Sequence, residues 1–307
     1  MNTESSSAAA NPLRAHSDAI AAIIEQIGTS TVAVLGRRHA VASGVVWRKG
    51  LVVTAAHVFR RTPAAVTLVG AAGRSLGATL VGIDSPTDLA LFRLADESAV
   101  ASIVPGDAAG VRAGHLAIAV GRSGEGDTLA SHGIVNRAGG PWQTWLGGHV
   151  DRLIRLDGGV YDGLSGASVA DASGAVIGVA TAALSRSYGV VVPASTVERV
   201  VVALLASGRV ARAWLGIGAQ PVPLPNAAEK TGLLVTSLAP GGPAERAGVL
   251  IGDIIVSAAG EAAANLRELR HVLAAHIGKT VALAVLRGGA PVELRAEVGE
   301  WPAERRC

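Results

Sequence analysis

The sequence predicts a mainly β chain in two parts, a domain of about a dozen short strands followed by a smaller α+β domain. Three observations predict it. Short apolar segments recur at close spacing through residues 31–193, with turns containing Gly, Pro, Ser or Asp between most of them. The chain holds 39 glycines among 307 residues, while aromatics make up only 3%, so the core must be packed from Val, Ala, Leu and Ile. After Pro193 the apolar pattern changes to helical spacing, which marks the end of the first domain.

Residues 1–16 are rich in Ser, Ala and Asn and are expected to be a disordered tail. Ser17 and Asp18 then open a short amphipathic helix over 19–26, stopped by Gly28. Strands are expected at 31–35, 42–47, 51–54, 65–69, 76–83 and 89–94. A second set is expected at 116–120, 130–136, 150–156, 167–171, 175–181 and 190–193. Such a run with almost no helix reads as a closed or sandwiched all-β domain, and its two halves suit two small barrels with a cleft between them. Ser195-Thr196-Val197-Glu198 reads as a capping box for a helix through 200–205, ended by Gly208. The first domain then spans 17–206, and 207–213 is a linker.

The second domain spans 214–300, with 301–307 as a tail. A strand is expected at 233–238, then a Pro/Gly loop, one helical turn at 244–247 and a strand at 254–257. Asn265 caps a helix over 266–276, and strands 280–287 and 291–298 form a hairpin through Gly288-Gly289. This reads as a small barrel with two helices.

Composition excludes several function classes. The formal charge is +3, and the basic residues cluster only as the pairs Arg37-Arg38, Arg48-Lys49, Arg60-Arg61 and Arg305-Arg306. These read as solvated surface, so no nucleic acid partner is expected. Cys307 is the only cysteine, read as a tail residue, so no disulfide within the chain is possible. The eight histidines lack metal-ligand spacing, and no metal or cofactor is expected. No run has membrane-spanning length. The N-terminus lacks a basic region followed by an apolar stretch, which reads as a soluble, cytoplasmic chain or one from which a signal has been removed.

The chemistry centres on Val160-Tyr161-Asp162-Gly163-Leu164-Ser165-Gly166-Ala167-Ser168-Val169. Gly163 and Gly166 allow a tight bend that presents the Ser165 hydroxyl and leaves N–H groups unpaired, as an oxyanion hole requires. Alone that motif is common in loops. A serine nucleophile needs a base and a group that orients the base. His57 lies just past an apolar strand, where Ala55 and Ala56 let another segment approach. Asp88 directly precedes the strand at 89–94, with Asp84 as the second choice of acid. His115, His132 and His149 read as surface or structural, and Asp84, Asp107 and Asp157 as turn or cap residues. The order His57, Asp88, Ser165 is one of the known solutions to this chemistry.

Thr54-Ala55-Ala56-His57, Asp88-Leu89-Ala90-Leu91 and Gly163-Leu164-Ser165-Gly166 resemble the three catalytic signatures of trypsin-like serine proteases. Ser131-His132-Gly133-Ile134-Val135 and Leu156-Asp157 resemble elements of the HtrA/Deg branch, as do the strands around Thr181 and Val190. Trp214-Leu215-Gly216-Ile217, Gly241-Gly242-Pro243-Ala244 and Gly252-Asp253-Ile254-Ile255 resemble its PDZ domain. The resemblance implies a chymotrypsin-like double β-barrel followed by a small α+β PDZ domain. It implies an endopeptidase acting on polypeptides, among them unfolded or misfolded ones. Ser165 would be nucleophile, His57 base and Asp88 orienting acid, with Gly163 and Ser165 N–H groups holding the oxyanion. Val190, Val191 and Val192 would wall a pocket for small or medium aliphatic side chains, with no acid there to select Arg or Lys. Leu215, Gly216, Ile217 and Gly218 would receive a peptide C-terminus, laid against a helix bearing Leu269, Val272 and Leu273. The resemblance also implies a trimer and a periplasmic or envelope location.

Five departures from the family pattern stand out. Leu164 replaces the usual Asn, Ala167 replaces a Gly, and Asp162 adds a carboxylate beside the oxyanion site. The N-terminal segment lacks the aromatics that knit the family's trimer. The loop 139–148, with Trp142 and Trp145, has no counterpart and reads either as a substrate gate or as a surface loop with packed tryptophans. The alternative to an active peptidase is a protease-fold protein that acts through its peptide-binding module.

Overall fold

The computed structural model describes residues 11–35, 41–59, 64–224 and 230–301. The expectations for residues 1–10, for the pairs Arg37-Arg38, Arg60-Arg61 and Arg305-Arg306, and for Cys307 lie outside those residues. The chain divides into two compact units, one through Val210 and one from Ala211.

The first unit opens with α1, Pro12–Gly28. It starts earlier than the sequence expectation because Asn11 caps it, its side chain accepting the Leu13 N–H at 3.0 Å, and Pro12 fits the first turn. Residues 12–16 are therefore helical, where a disordered tail was expected. Six strands follow: β1 Thr31–Leu35, β2 Val41–Arg48, β3 Leu51–Ala55, β4 Ala65–Val69, β5 Ser75–Asp84 and β6 Leu89–Leu94. They close into a barrel in the order β1-β2-β3-β6-β5-β4.

β7 Leu116–Arg122 and β8 Thr128–Gly139 begin a second barrel. A small hairpin of β9 Trp142–Gln143 and β10 His149–Val150 interrupts it before β11 Leu153–Leu156, β12 Ser168–Ala170, β13 Val176–Thr181 and β14 Val190–Pro193. That barrel closes as β11-β14-β13-β12-β7-β8. Closure removes the exposed edges that a short-stranded sheet would otherwise present. The main core spans both barrels: Val45, Trp47 and Val53 from the first meet Ile118, Val120 and Val179 from the second, and α1 adds Ile27.

The helix α2, Ala194–Ser207, covers that core with Val197, Val200, Val201 and Leu204. Its start corrects the sequence reading. Pro193 is the cap residue and Ser195 lies inside the helix, so no capping box forms. Glu198 instead accepts the Trp47 Nε1–H at 2.9 Å and pairs with Arg48. Gly208, with φ of 70°, ends the helix as expected, its N–H bonding the Leu204 carbonyl.

Arg122 ties the unit together from inside. It is 3% exposed, and its guanidinium donates to the carbonyls of Thr31, Gly126 and Gly28. Those carbonyls belong to β1, the β7–β8 turn and the end of α1. Burial pulls its pKa below the ordinary guanidinium range, and Asp127 works in the other direction.

The second unit holds β15 Ala213–Trp214, β16 Ile217–Pro223, β17 Thr231–Leu238, α3 Pro243–Arg246, β18 Ile254–Ala258, β19 Glu261–Ala262, α4 Leu266–Ala274, β20 Thr280–Arg287, β21 Ala290–Glu297 and β22 Gly299–Glu300. Its main sheet runs β16-β17-β18-β20-β21, with β19 on β18, and it stays open where a small barrel was expected. β16 is the element the sequence hid, because Pro221 and Pro223 argue against a strand except at an edge. Asn265 caps α4 as expected, accepting the Glu268 N–H at 3.0 Å, and Glu268 reaches back to the Ala264 N–H. Asp253 is 1% exposed and clamped by Arg287, whose Nε and Nη2 donate at 2.9 and 2.8 Å.

Two outcomes follow from these buried charges. Arg122→Ala strands three carbonyls and is expected to lower stability by about 3 kcal/mol in urea titrations. The bonds from Arg287 hold the Asp253 carboxyl below its usual range, outweighing its desolvation. Its stabilisation is therefore complete above the unfolded Asp pKa and is lost as the pH falls through the lower folded value. Denaturation of the second unit followed against pH should show that acid loss in the parent chain and lack it in Asp253→Asn.

Candidate active site

His57 sits in a short helical turn, Ala56–Val58, directly after β3. Asp88 sits in the turn between β5 and β6, with φ of 58°, a left-handed conformation that Asp tolerates better than most residues. That conformation lets its carboxylate turn back over β3. Asp88 Oδ1 accepts the His57 backbone N–H at 2.8 Å, and Oδ2 meets His57 Nδ1 at 2.7 Å. A carboxylate only accepts, so Nδ1 carries the proton and Nε2 is left as the acceptor. The Asp88 side chain is 4% exposed and that of His57 35%, so the acid is sealed while the ring reaches solvent. Asp84 is buried too, but it accepts the Thr87 hydroxyl at 2.6 Å within its own turn. The acid in contact with His57 is Asp88.

Asp88 has one further partner that the sequence did not disclose. Thr181, the last residue of β13, donates its hydroxyl to Asp88 Oδ2. The strand around Thr181 resembles that of the family, but a threonine ending an apolar strand carries no local sign of this role.

The Ser165 loop is a set of tight turns between β11 and β12. The Leu164 N–H bonds Tyr161 O at 3.0 Å, and the Ala167 N–H bonds Leu164 O at 3.0 Å. The Gly166 N–H bonds Ala180 O at 2.8 Å. Gly163 and Gly166 have φ of 87° and 86°, where a Cβ would be strained. Gly166 is also jammed against the first barrel: a Cβ there would lie 2.0 Å from Ser43 O and 3.0 Å from Ala55 N. The loop thus rests on the strand that leads into His57.

The three residues belong to one hydrogen-bonded circuit. Asp88 bonds Thr181, whose neighbour Ala180 bonds Gly166; Ser165 O accepts the Ser43 N–H at 2.9 Å; Ser43 O accepts the Thr54 hydroxyl at 2.7 Å, three residues before His57. Among the described residues the Ser165 hydroxyl makes no hydrogen bond, so the structure joins His57 to Asp88 directly and connects Ser165 to them through the backbone circuit. The N–H groups of Gly163 and Ser165 bond no acceptor among the described residues either. Within the described residues no cluster of His, Cys, Asp and Glu could hold a metal ion.

The departures acquire physical reasons. Leu164 is buried with Val169, Ile177 and Val191 in the second barrel's core, so its apolar side chain anchors the loop from below. Ala167 does not take a positive φ, so its position needs no glycine. Asp162 is exposed.

A cavity of about 170 Å³ adjoins the loop, lined by Gly158–Tyr161, Leu164 and Ala180 and floored by β7 and β8. Val190, Val191 and Val192 do not line it. Strand alternation sends Val190 and Val192 into the core between the barrels and Val191 into the second barrel. Asp157 and His132 do line it, so an acid stands at this cavity, although Asp157 Oδ1 also accepts the Ile134 N–H at 3.2 Å. The hairpin loop beyond β8 is attached to the acid's turn: Thr144 donates to Pro86 O at 2.7 Å and accepts the Gly148 N–H at 3.0 Å. Trp142 is half-buried against the core and Trp145 is exposed.

In the second unit, Leu215 is buried and its carbonyl accepts the Ala244 N–H at 2.8 Å. Gly216 takes φ of 76°. The Leu215 and Gly216 N–H groups bond no acceptor among the described residues. β16 beyond them is an edge strand, and Ile217 and Ala219 share an apolar cluster with Leu269, Val272 and Leu273 of α4.

Comparison with known proteins agrees with both units. Residues 42–179 match the family model of a trypsin-like peptidase domain, and residues 215–298 match that of a PDZ domain. A probable periplasmic serine endoprotease DegP-like from Brucella suis is 36% identical over 286 residues, 88% of this chain and 55% of that protein. The chain belongs to the trypsin-like peptidases that carry a PDZ domain. A DegP-like relative from Rhizobium meliloti is 34% identical over 269 residues, 84% of this chain and 52% of its own length. The chain therefore spans about half the length of the curated relatives it matches. The HtrA-type protease AlgW with tripeptide shares the fold at TM-score 0.75 and 26% identity, over 92% of this chain and 97% of that one. The serine endoprotease from Yersinia pestis gives TM-score 0.76 at 23% identity, over 92% and 98%.

The peptidase loop's contact with the first barrel leaves no space for a methyl group. Gly166→Ala is expected to cost roughly 3 kcal/mol or more, from strain and the clash with Ser43 O. Thermal melts of the variant and of Ala167→Gly, which should change little, check this.

Proposed function

We propose that this chain is a serine endopeptidase that hydrolyses peptide bonds of unfolded or misfolded polypeptides. One observation carries the proposal: a buried carboxylate holds the proton on His57 Nδ1, while the circuit that binds that carboxylate also seats Ser165 and two unbonded N–H groups. Ser165 Oγ attacks the peptide carbonyl carbon as His57 Nε2 takes its proton. Asp88 fixes the imidazole tautomer and stabilises the imidazolium. The N–H groups of Gly163 and Ser165 receive the oxyanion, each worth about 3–4 kcal/mol. The imidazolium then protonates the leaving amine, and water attacks the acyl-enzyme by the same route in reverse. The missing Ser165–His57 bond is consistent with a resting site that tightens on substrate.

The PDZ domain binds peptide C-termini in this reading. The unbonded N–H groups of Leu215 and Gly216 take the carboxylate, together with the backbone at Ile217 and Gly218. The peptide adds to the edge of β16 against Leu269 and Val272.

Casein, native and heat-unfolded, is the first substrate to test, alongside fluorophosphonate labelling. The parent chain should cut unfolded casein and take the label. Ser165→Ala should lose kcat by about 10⁶-fold and fail to label. Asp88→Asn should fold and lose kcat by about 10⁴-fold, because His57 takes the wrong tautomer. Failure of the parent chain to cut or label, with binding of free-carboxylate peptides intact, would leave a binding protein. Amidating those peptides should abolish their binding.

A further inference from the structure

Ser43 lies in β2, wholly buried among valines and alanines. A buried hydroxyl is costly unless it is bonded, and here each polar atom of the residue has a partner. Its N–H donates to Ser165 O at 2.9 Å, and its carbonyl accepts the Thr54 hydroxyl at 2.7 Å. Its Oγ accepts the Arg122 N–H at 3.0 Å and donates to Gly163 O at 2.6 Å. Two of these bonds land on Gly163 and Ser165, the residues whose own N–H groups are unbonded among the described residues.

The peptide planes of the loop show what those bonds do. The plane between Gly163 and Leu164 is held at both ends, its carbonyl by Ser43 Oγ and its N–H by Tyr161 O. The plane between Leu164 and Ser165 is held through Leu164 O, which accepts the Ala167 N–H. The plane between Ser165 and Gly166 is held by the Ser43 N–H and by Ala180 O. The remaining plane, between Asp162 and Gly163, carries the Gly163 N–H. No hydrogen bond among the described residues restrains it directly, and it is attached to a glycine that rotates freely. The nearest restraint on it is the bond from Ser43 Oγ to Gly163 O.

We propose that Ser43 is a positioning residue: its hydroxyl, reaching from the first barrel, keeps the Gly163 N–H aimed at the oxyanion. The inference rests on the peptidase reading above. Without the hydroxyl, Gly163 gains freedom, and the plane before it turns its N–H away. The Ser165 N–H, held through Leu164 O and Ala167, stays in place. One of two oxyanion donors is lost while substrate binding is untouched.

The test is Ser43→Ala in the full chain, with active sites titrated by fluorophosphonate so that kcat is counted per competent serine. The expected result is a kcat lower by about 10²-fold at unchanged KM, the cost of one oxyanion donor. Affinity for a peptide aldehyde, whose adduct needs the same donors, should fall by a similar factor. Thr31→Ala removes a buried hydroxyl that bonds Gly28 O in the same barrel, and controls for stability. It should lower the melting temperature without changing kcat per titrated site. Should Ser43→Ala fail to fold, Ser43→Cys keeps the volume with a weaker donor, and should show the same kcat loss with a native circular dichroism spectrum. A parental kcat per site in the folded variant, or a change confined to KM, overturns the proposal. A parent chain that neither cuts nor labels overturns the peptidase reading itself, and this inference with it.

Discussion

One buried carboxylate links the two barrels of the first unit to each other and to the histidine between them. Asp88 is 3% exposed, and an ionised acid in that position is tolerable only if its oxygens are bonded. Its donors come from two places: the His57 turn of the first barrel and Thr181 of the second. The interaction that orients the imidazole is thus also an interaction that joins the barrels. Loss of the acid would free the imidazole and disturb the packing together, which is why Asn, which keeps the shape, is the informative replacement.

Much of this was legible in the sequence. Strand positions followed from short apolar runs bounded by turn residues, and Asn265 and Gly208 marked helix ends by rules that act within a few residues. His57, Asp88 and Ser165 stand out in the sequence because each lies in a motif whose neighbours are constrained: small alanines before the histidine, an apolar strand after the acid, two glycines around the serine. Their juxtaposition was inferred from chain order, and the His57–Asp88 contact is the part that the geometry gives directly.

What was hidden has a common cause. Thr181 and Ser43 are small polar residues in apolar strands, and their partners are far away in sequence, 93 residues for Thr181 and 120 for Ser43. Local pattern says nothing about such bonds. The capping box at Ser195 was misread for a related reason, since Glu198 is drawn away by Trp47 and Arg48 of another strand. The valines of β14, which the resemblance puts in a pocket wall, are buried by strand alternation on two opposite sides. In each case a distant partner or the pleat outranked the local signal.

The prolines of β16 have a consequence for self-association. An open strand edge invites like strands to stack on it, and chains of such stacks grow into fibres. Pro221 and Pro223 carry no N–H and belong on the side of the strand that pairs with nothing in the fold. They act as gatekeepers over half of the edge, and leave open only the stretch from Ile217 to Gln220. A ladder that short spans about 13 Å at strand spacing, enough for the end of one peptide and too little to template a second copy of the domain.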